Sequence, residues 1–446
     1  MQNTDKILNI YGAGLAGCEA AWQAAKLGIR VRLYEMKPHK YTPAHHSEGF
    51  AELVCSNSLR SDSVTNAVGL LKEELRRLGS LIMEAADATR VPAGSALAVD
   101  RDRFSAYITE KIKSEPLIEV IYEEAVDVKE GETTIIATGP LTSDVMAEYI
   151  EKELGCSGLH FFDAAAPIVD ADTINTDIAF FASRYDKGDA DYINCPMTEE
   201  QYNAFWEALI TAKEAELKAF DREEQNKKLK VFEGCMPVEV MAKRGRETLL
   251  FGPLKPVGLI DKRVGKQAHA VVQLRRENLE GTMYNLVGFQ THLTFPEQKR
   301  VFRMIPGLEN AEFLRYGVMH RNTYLNSPEL LLPSYRMKSR ENVYFAGQMT
   351  GVEGYIESAG SGFVAGLNAA RAILDLEEVV FPRKMMLGAM AHYVSEGGTS
   401  AFVPMNANFG IIEPLPTRIK GGKMAKYEVL AQRALEETAA YVAKLS

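Results

Sequence analysis

The chain has 446 residues, 46% of them hydrophobic and 25% charged, the balance of an ordinary folded protein rather than a disordered or fibrous one. At about 150 residues per domain there is room for two to three domains, each with a sizeable core. With 51 Lys and Arg against 60 Asp and Glu the net charge is −9, which excludes a nucleic-acid binder basic over its whole surface but not a local basic patch.

Ile7–Tyr11 (ILNIY) is a short apolar run of the kind that makes a buried parallel strand. Gly12-Ala13-Gly14-Leu15-Ala16-Gly17 follows, a full G-x-G-x-x-G, and leads into a small-residue helix over Leu15–Leu27 ended by Gly28. Arg30–Glu35 reads as the next strand, completing a compact βαβ unit. In that setting Gly12 permits the tight turn, Gly14 lets backbone approach a pyrophosphate, and Gly17 lets helix and strand pack closely. Glu35, 18 residues after Gly17, is placed to hold ribose hydroxyls. The three glycines and Glu19 also argue against taking Ile7–Cys18 for a signal peptide.

Residues 40–66 are loop-like and rich in His, Ser, Asn and Cys, and helices are expected over Gly69–Gly79 and Asp102–Lys113. Thr133–Gly139 is a second buried strand running into Gly139, a turn that accompanies the adenine side of such sites. From about 160 to 330 the pattern is mixed, with a charged helix near Glu199–Lys228 and short strands around 248–290. Asn342–Gly347 returns to the buried-strand type, followed by a glycine-rich turn and a helix to about Leu376. NAD and FAD both use the first glycine loop. Gly347, Gln348 and Gly351 favour the longer cofactor, since a second turn and helix N-terminus can offer N–H donors to the ribityl chain and flavin edge of FAD. The plainer alternative is that Gly360, Gly362 and Gly366 only let a helix pack closely. The expected fold is α/β: a Rossmann-like FAD-binding domain with a doubly wound parallel sheet, built from residues 1–160 and 331–446 and interrupted by an inserted mixed α+β domain over 161–330.

The five cysteines, at 18, 55, 156, 195 and 235, are odd in number, far apart and never in a C-x-x-C pair. That argues against a disulfide framework or a cysteine metal site and for the reducing cytoplasm. No uncharged apolar run approaches the roughly 18 residues of a membrane span.

Taken together, GAGLAGCEAA, LVCSNSLRSD, FEGCMPVEVMAKRG, FGPLKPVGL and FAGQMTGVEGYIESAGSG closely resemble the bacterial folate- and FAD-dependent tRNA (uracil-5-)-methyltransferases, over nearly the whole chain as far as Asn406–Gly410. A related enzyme that modifies the tRNA wobble uridine shares the glycine-rich start but is typically longer. The resemblance implies methylation of uridine 54 in the T-loop of tRNA, with 5,10-methylenetetrahydrofolate as carbon donor and FAD, kept reduced by NAD(P)H, as source of reducing equivalents. It places the catalytic thiols on Cys55 and Cys235.

The chemistry explains the need for two such groups. C5 of uracil is a poor nucleophile; a thiolate adding to C6 makes the ring an enolate able to attack an electrophilic carbon, and a second group must then remove the C5 proton. Cys235 precedes the basic cluster Lys243, Arg244 and Arg246 and is favoured as the nucleophile, with Cys55 as the proton-handling or flavin-side thiol; exchanged roles remain open. Cys18, Cys156 and Cys195 read as core residues. His45 and His46 are candidate proton carriers, and Ser56, Asn57 and Ser58 are candidate ligand contacts or simple loop caps.

Residues 225–280 hold twelve Lys or Arg against six Asp or Glu, a net +6 within a chain of −9. Lys243, Arg244, Arg246 and Lys255 are the candidate RNA contacts, and binding through them should weaken steeply with salt. Extruding a stacked T-loop base calls for an aromatic platform, for which Tyr284, Phe289 and Tyr344 are candidates. Two competing readings are a related flavoprotein acting on ribosomal RNA and a folate or NAD(P)H flavin oxidoreductase with no RNA substrate.

Overall fold

Ile7–Tyr11 (β1) lies at the centre of a five-stranded parallel sheet in the computed structural model, which describes residues 6–155, 158–164, 166–186, 190–215, 236–276, 281–317, 319–396, 402, 404–417 and 419–445. On one side β1 pairs with Arg30–Tyr34 (β2), which pairs with Ile118–Ile121 (β3). On the other it pairs with Thr133–Ile136 (β4), which pairs with Val343–Phe345 (β5). All four pairings are parallel, and β3 is a strand that the charged flanks of IEVI concealed. Chain order therefore reverses between β1 and β4. Such a switch point opens a crevice at the carboxyl ends of the strands, where ligands of doubly wound sheets bind.

The helices end where local chemistry ends them. Leu15–Lys26 (α1) starts from Gly14; Ala67–Leu78 (α2) is capped by the Asn66 side chain and closed by Gly79 in the left-handed region; Arg101–Ser114 (α3) is capped by Asp100. Tyr355–Ile373 (α4) is the long helix expected after the second glycine turn. It crosses α1 at backbone contact: a Cβ on Gly362 would stand 2.2 Å from the Ala16 carbonyl oxygen, and one on Gly366 2.5 Å from Ala20 Cα. The close-packing alternative for these two glycines is thus what the fold uses them for.

The middle of the chain forms a second, six-stranded antiparallel sheet in the order Phe180–Phe181, Tyr192–Met197, Ala270–Arg276, Met283–Leu286, Ile168–Asp170, Phe313–Arg315. One hydrophobic cluster gathers residues from 8 to 154 and 324 to 434, and another gathers residues from 169 to 313. A two-stranded ribbon, Gly158–Ala164 with Met319–Leu325, joins the two parts. Two expectations need correction. The charged helix stops at Ile210, and residues 216–235 lie outside the described set. The strands expected over 248–290 begin with a short helix at Thr248–Phe251 instead, because Leu249 must pack into the second core while Gly252 and Pro253 break the run.

A buried ion cluster braces this second part. His292 stands between two carboxylates, Nε2 2.8 Å from Glu214 and Nδ1 2.7 Å from Glu239. Burial opposes its charge, but the two glutamates prevail and raise its pKa to about 9, while His292 and Lys243 lower that of Glu214 to about 2. A histidine whose folded pKa is raised contributes stability that is complete below its unfolded value near 6.5 and is lost as pH rises through about 9. Denaturant midpoints of wild type and His292→Gln should therefore differ most near pH 6 and converge by pH 10; a gap that persists at pH 10 would show the ion cluster is not the source.

Candidate functional site

At the carboxyl ends of the parallel strands a cleft enclosing about 1140 Å³ of empty space is lined by the glycine loop, Glu35, the Thr138–Gly139 turn, Gly347, Gln348 and Tyr355. Each loop glycine answers a different demand. Gly12 has φ +99°, and a Cβ there would sit 2.6 Å from the Ala137 carbonyl oxygen. A Cβ on Gly17 would stand 1.8 Å from the Gly12 carbonyl oxygen, so the turn and α1 can meet only without side chains. Gly14 has nothing within 4 Å of such an atom and faces the open cleft. The first-turn N–H groups of α1 lack helical acceptors by geometry and stand beside this space, with the positive end of the helix dipole behind them.

Glu35, just past β2, is buried in the same wall. Its Oε2 accepts the Ala13 N–H at 3.1 Å and its Oε1 the Lys37 N–H at 2.9 Å. A carboxylate has about four acceptor sites, so capacity remains for ribose hydroxyls. Gly12, Ala13, Gly14, Leu15, Ala16, Glu35, Gly139, Gly347 and Gln348 all line the cleft, whereas Gly17 and Gly351 do not. Gly17 serves packing, and the Cβ direction at Gly351 meets the Phe402 ring at 2.4 Å. The second turn also differs from expectation: the Gly347 N–H is used by Ser361 Oγ at 2.7 Å and that of Gly351 by the Gln348 carbonyl. The groove thus has a cradle for phosphates, an acidic ribose partner and a second wall, and these residues fit a long dinucleotide such as FAD.

Past Tyr355 the cleft reaches the loop carrying Cys55, which is tied at every residue from 53 to 57. The Leu53 carbonyl accepts from Arg101, and the Val54 carbonyl from Arg315 at 2.6 Å. The Cys55 and Ser56 N–H groups both donate to the Tyr355 hydroxyl oxygen, at 2.7 and 3.2 Å. Arg275 reaches Ser56 Oγ and, at 3.0 Å, Asn57 Oδ1. Asn57 in turn donates to the Val99 and Arg276 carbonyls. Arg275 and Arg315 come from the second sheet, so the Cys55 loop is the joint between the two parts.

Asn57 and Ser56 are consumed by that joint rather than offered to a ligand. Ser58 Oγ accepts the Arg60 N–H, the local cap. His45 lines the cleft, 2.5 Å from Thr42 Oγ1, whereas His46 is exposed. Cys18 and Cys195 are buried, and burial raises both thiol pKa values, as core cysteines require. Cys235 and Cys156 lie outside the described residues.

Most charges of the described part of the basic segment are exposed, Lys243, Arg246 and Arg263 among them, but several already have partners within the fold. Arg275 is buried in the joint, Lys243 pairs with Glu214, Arg246 donates to Asn203, and Arg263 binds Asp261 and four backbone carbonyls. Arg244 is exposed and Lys255 partly so. The aromatic platform needs outright correction. Tyr284, Phe289 and Tyr344 are 3%, 0% and 1% exposed, because each fills a core and none can meet a base. The exposed aromatics among the described residues include Tyr41, Phe181, Tyr185, Phe295 and Phe251, the last 80% exposed. Tyr355, Arg101 and Arg315 had no motif to announce them. The only signal was the position of Tyr355 at the start of a helix behind a glycine turn.

A glycine loop at the switch point of a parallel sheet, opposite a second wall of cleft residues, defines an α/β protein with a Rossmann-like dinucleotide-binding domain. The chain superposes on GidA from Aquifex aeolicus, in its form II and form I crystals, with TM-scores of 0.70 and 0.69 at 17% and 18% identity, covering 99% and 97% of this chain and 74% and 76% of those chains. Residues 7–377 match the family described as glucose inhibited division protein A. The chain is 60% identical over 439 residues to the methylenetetrahydrofolate–tRNA-(uracil-5-)-methyltransferase TrmFO of Acetivibrio thermocellus (98% of this chain, 99% of that one). It is 59% identical over 440 residues to the TrmFO of Enterococcus faecalis (99% of both). The chain belongs to the glucose inhibited division protein A family.

Gly14 separates cofactor binding from folding. Gly14→Val fills open space in a backbone conformation that valine tolerates (φ −76°, ψ −172°). The variant should melt within about 2 °C of wild type without cofactor yet bind a dinucleotide at least ~10-fold more weakly, about 1.4 kcal/mol. Cofactor absorbance after gel filtration reads the difference, and full retention would remove the cleft from consideration.

Proposed function

We propose that the chain methylates C5 of uridine 54 in the T-loop of tRNA, taking the one-carbon unit from 5,10-methylenetetrahydrofolate. The observation that carries this reading is the near-full-length identity of 60% and 59% to enzymes named for that donor, substrate and position on uracil. Glycine-loop residues Gly12–Ala16, Glu35, Gly139, Gly347 and Gln348 would hold FAD along the cleft, where, reduced by NAD(P)H, it supplies the reducing equivalents that make the transferred carbon a methyl group.

The remaining work belongs to side chains. A thiolate from Cys235 adds to C6, which puts negative charge into the uracil ring and makes C5 nucleophilic. C5 bonds to the one-carbon unit; Cys55, fixed through its backbone N–H to Tyr355, takes the C5 proton as that carbon's bond to its carrier nitrogen breaks. A hydride supplied to the carbon would expel the Cys235 thiolate from C6, restoring the ring double bond and leaving a methyl group. Sequestering this step requires a boundary against water, and the joint between the two sheets forms one side of it. A tRNA substrate and a cysteine spacing without a C-x-x-C pair both suit the cytoplasm.

The segment 161–330 is the RNA-facing domain in this reading. Lys243, Arg244, Arg246 and Lys255 would meet phosphates. Tyr185 and Phe251 offer stacking faces near Lys255, whose carbonyl Arg184 holds at 3.1 Å. Tyr185 has φ +62°, a left-handed conformation uncommon for a non-glycine residue and of the kind kept where function needs it. Strand Ala270–Arg276 runs from the Leu254 side, near Phe251 in the chain, to the Cys55 joint.

Reduced protein given methylenetetrahydrofolate and undermodified tRNA should produce 5-methyluridine at position 54, and Cys235→Ala should abolish both product and any covalent RNA adduct while the flavin stays bound. Methylation of ribosomal RNA alone, or of neither RNA, would overturn the assignment. Phe251→Ala and Tyr185→Ala should each weaken tRNA binding about 5- to 100-fold, the range for losing a stacked base, in a titration at fixed salt. Unchanged binding in both would place the RNA on another face.

A further inference from the structure

Arg315 is an expensive residue to keep where it is. It leaves the edge strand Phe313–Arg315 of the second sheet, crosses the joint, and spends one terminal N–H on the Val54 carbonyl at 2.6 Å. Its Nε is buried with no hydrogen-bond partner. A second guanidinium, Arg101, binds the preceding carbonyl, that of Leu53. Burial and Arg101 both press against the charge of Arg315, and Tyr355, Glu52 and Cys55 favour it. Two like charges held around one turn, with a buried N–H unsatisfied, cost free energy unless an anion shares the enclosure. Glu52 supplies one negative charge near this turn, its carboxylate accepting the His46 and Ser47 N–H groups and standing 3.9 Å from Lys37. The other acidic group facing this enclosure is the Cys55 thiol, since burial pushes the Tyr355 hydroxyl well above its ordinary range.

We propose that Arg315, together with Arg101, is a positioning residue for Cys55: the two guanidinium groups fix the 53–55 turn by its carbonyls and supply the positive field in which Cys55 stands as a thiolate. This rests on Cys55 being a reacting thiol and sharpens its role, since a resting thiolate is already the base that the C5 proton needs. A neutral residue would supply no field, and a lysine would keep the charge but not the planar fork that holds a carbonyl and an anion at fixed angles.

Alkylation tests this without tRNA or folate, so its failure and failure of the methyltransferase reading are separable. In a Cys235→Ser background, iodoacetamide labelling of the Cys55 peptide is followed by mass spectrometry across pH 4 to 10. The midpoint of the profile is the readout, because the plateau rate varies with intrinsic nucleophilicity. Wild-type Arg315 should give a midpoint at least one unit below the ~8.5 of a free thiol. Arg315→Gln should move it up by about a unit or more, a ~10-fold loss of labelling at the wild-type midpoint, with flavin content unchanged; Arg315→Lys should recover part of the shift. A midpoint at or above 8.5 in the protein with Arg315 intact overturns the proposal whether or not Arg315→Gln folds. So does an Arg315→Gln profile that superimposes on the parent.

Discussion

The approach of two helices at backbone distance is the constraint on which the rest of the architecture depends. α1 and α4 come from opposite ends of the chain, and they can cross only because Gly362 and Gly366 present no side chain to Ala16 and Ala20. That crossing sets both helix N-termini at the same edge of the parallel sheet. One terminus then offers its N–H groups beside the open space at Gly14, and the other carries Tyr355 into the far end of the cleft. Larger residues at the crossing would separate the walls by the size of a side chain, and the cleft would lose the narrow cross-section that lets both walls touch one ligand.

Tyr355 passes the constraint on. Its hydroxyl accepts from two consecutive N–H groups, those of Cys55 and Ser56, and so registers the thiol loop against α4. The second sheet approaches the same loop from the other side through Arg275 and Arg315. The loop therefore belongs mechanically to neither part. The thiol of Cys55 stands where the dinucleotide cleft and the second sheet meet.

The dinucleotide half of this arrangement was legible in the sequence because its determinants are local. β1, the glycine loop, α1 and Glu35 lie within thirty residues, and each glycine has a steric role that spacing alone reveals. The joint was not legible, because its determinants are far apart: Arg275 finds Asn57 across 218 positions and Tyr355 finds Cys55 across 300. Aromatic residues misled for a different reason. Tyr284, Phe289 and Tyr344 sit in strands or beside them and look available in one dimension, but Tyr284 and Tyr344 lie in runs of consecutive buried residues and Phe289 packs into the second core.

Charge shows most clearly how sequence and structure divide the information. A net +6 over 225–280 reads as a surface patch, yet Arg275 and Arg263 spend their guanidinium groups on carbonyls, amides and carboxylates of their own fold. Arg184, Arg101 and Arg315 do the same elsewhere. Arginine suits such joints because a planar fork can bind two acceptors at fixed angles while its charge stays weakly hydrated. Positive charge in this chain is therefore of two kinds, one that meets a polyanion at the surface and one that holds loops in register inside.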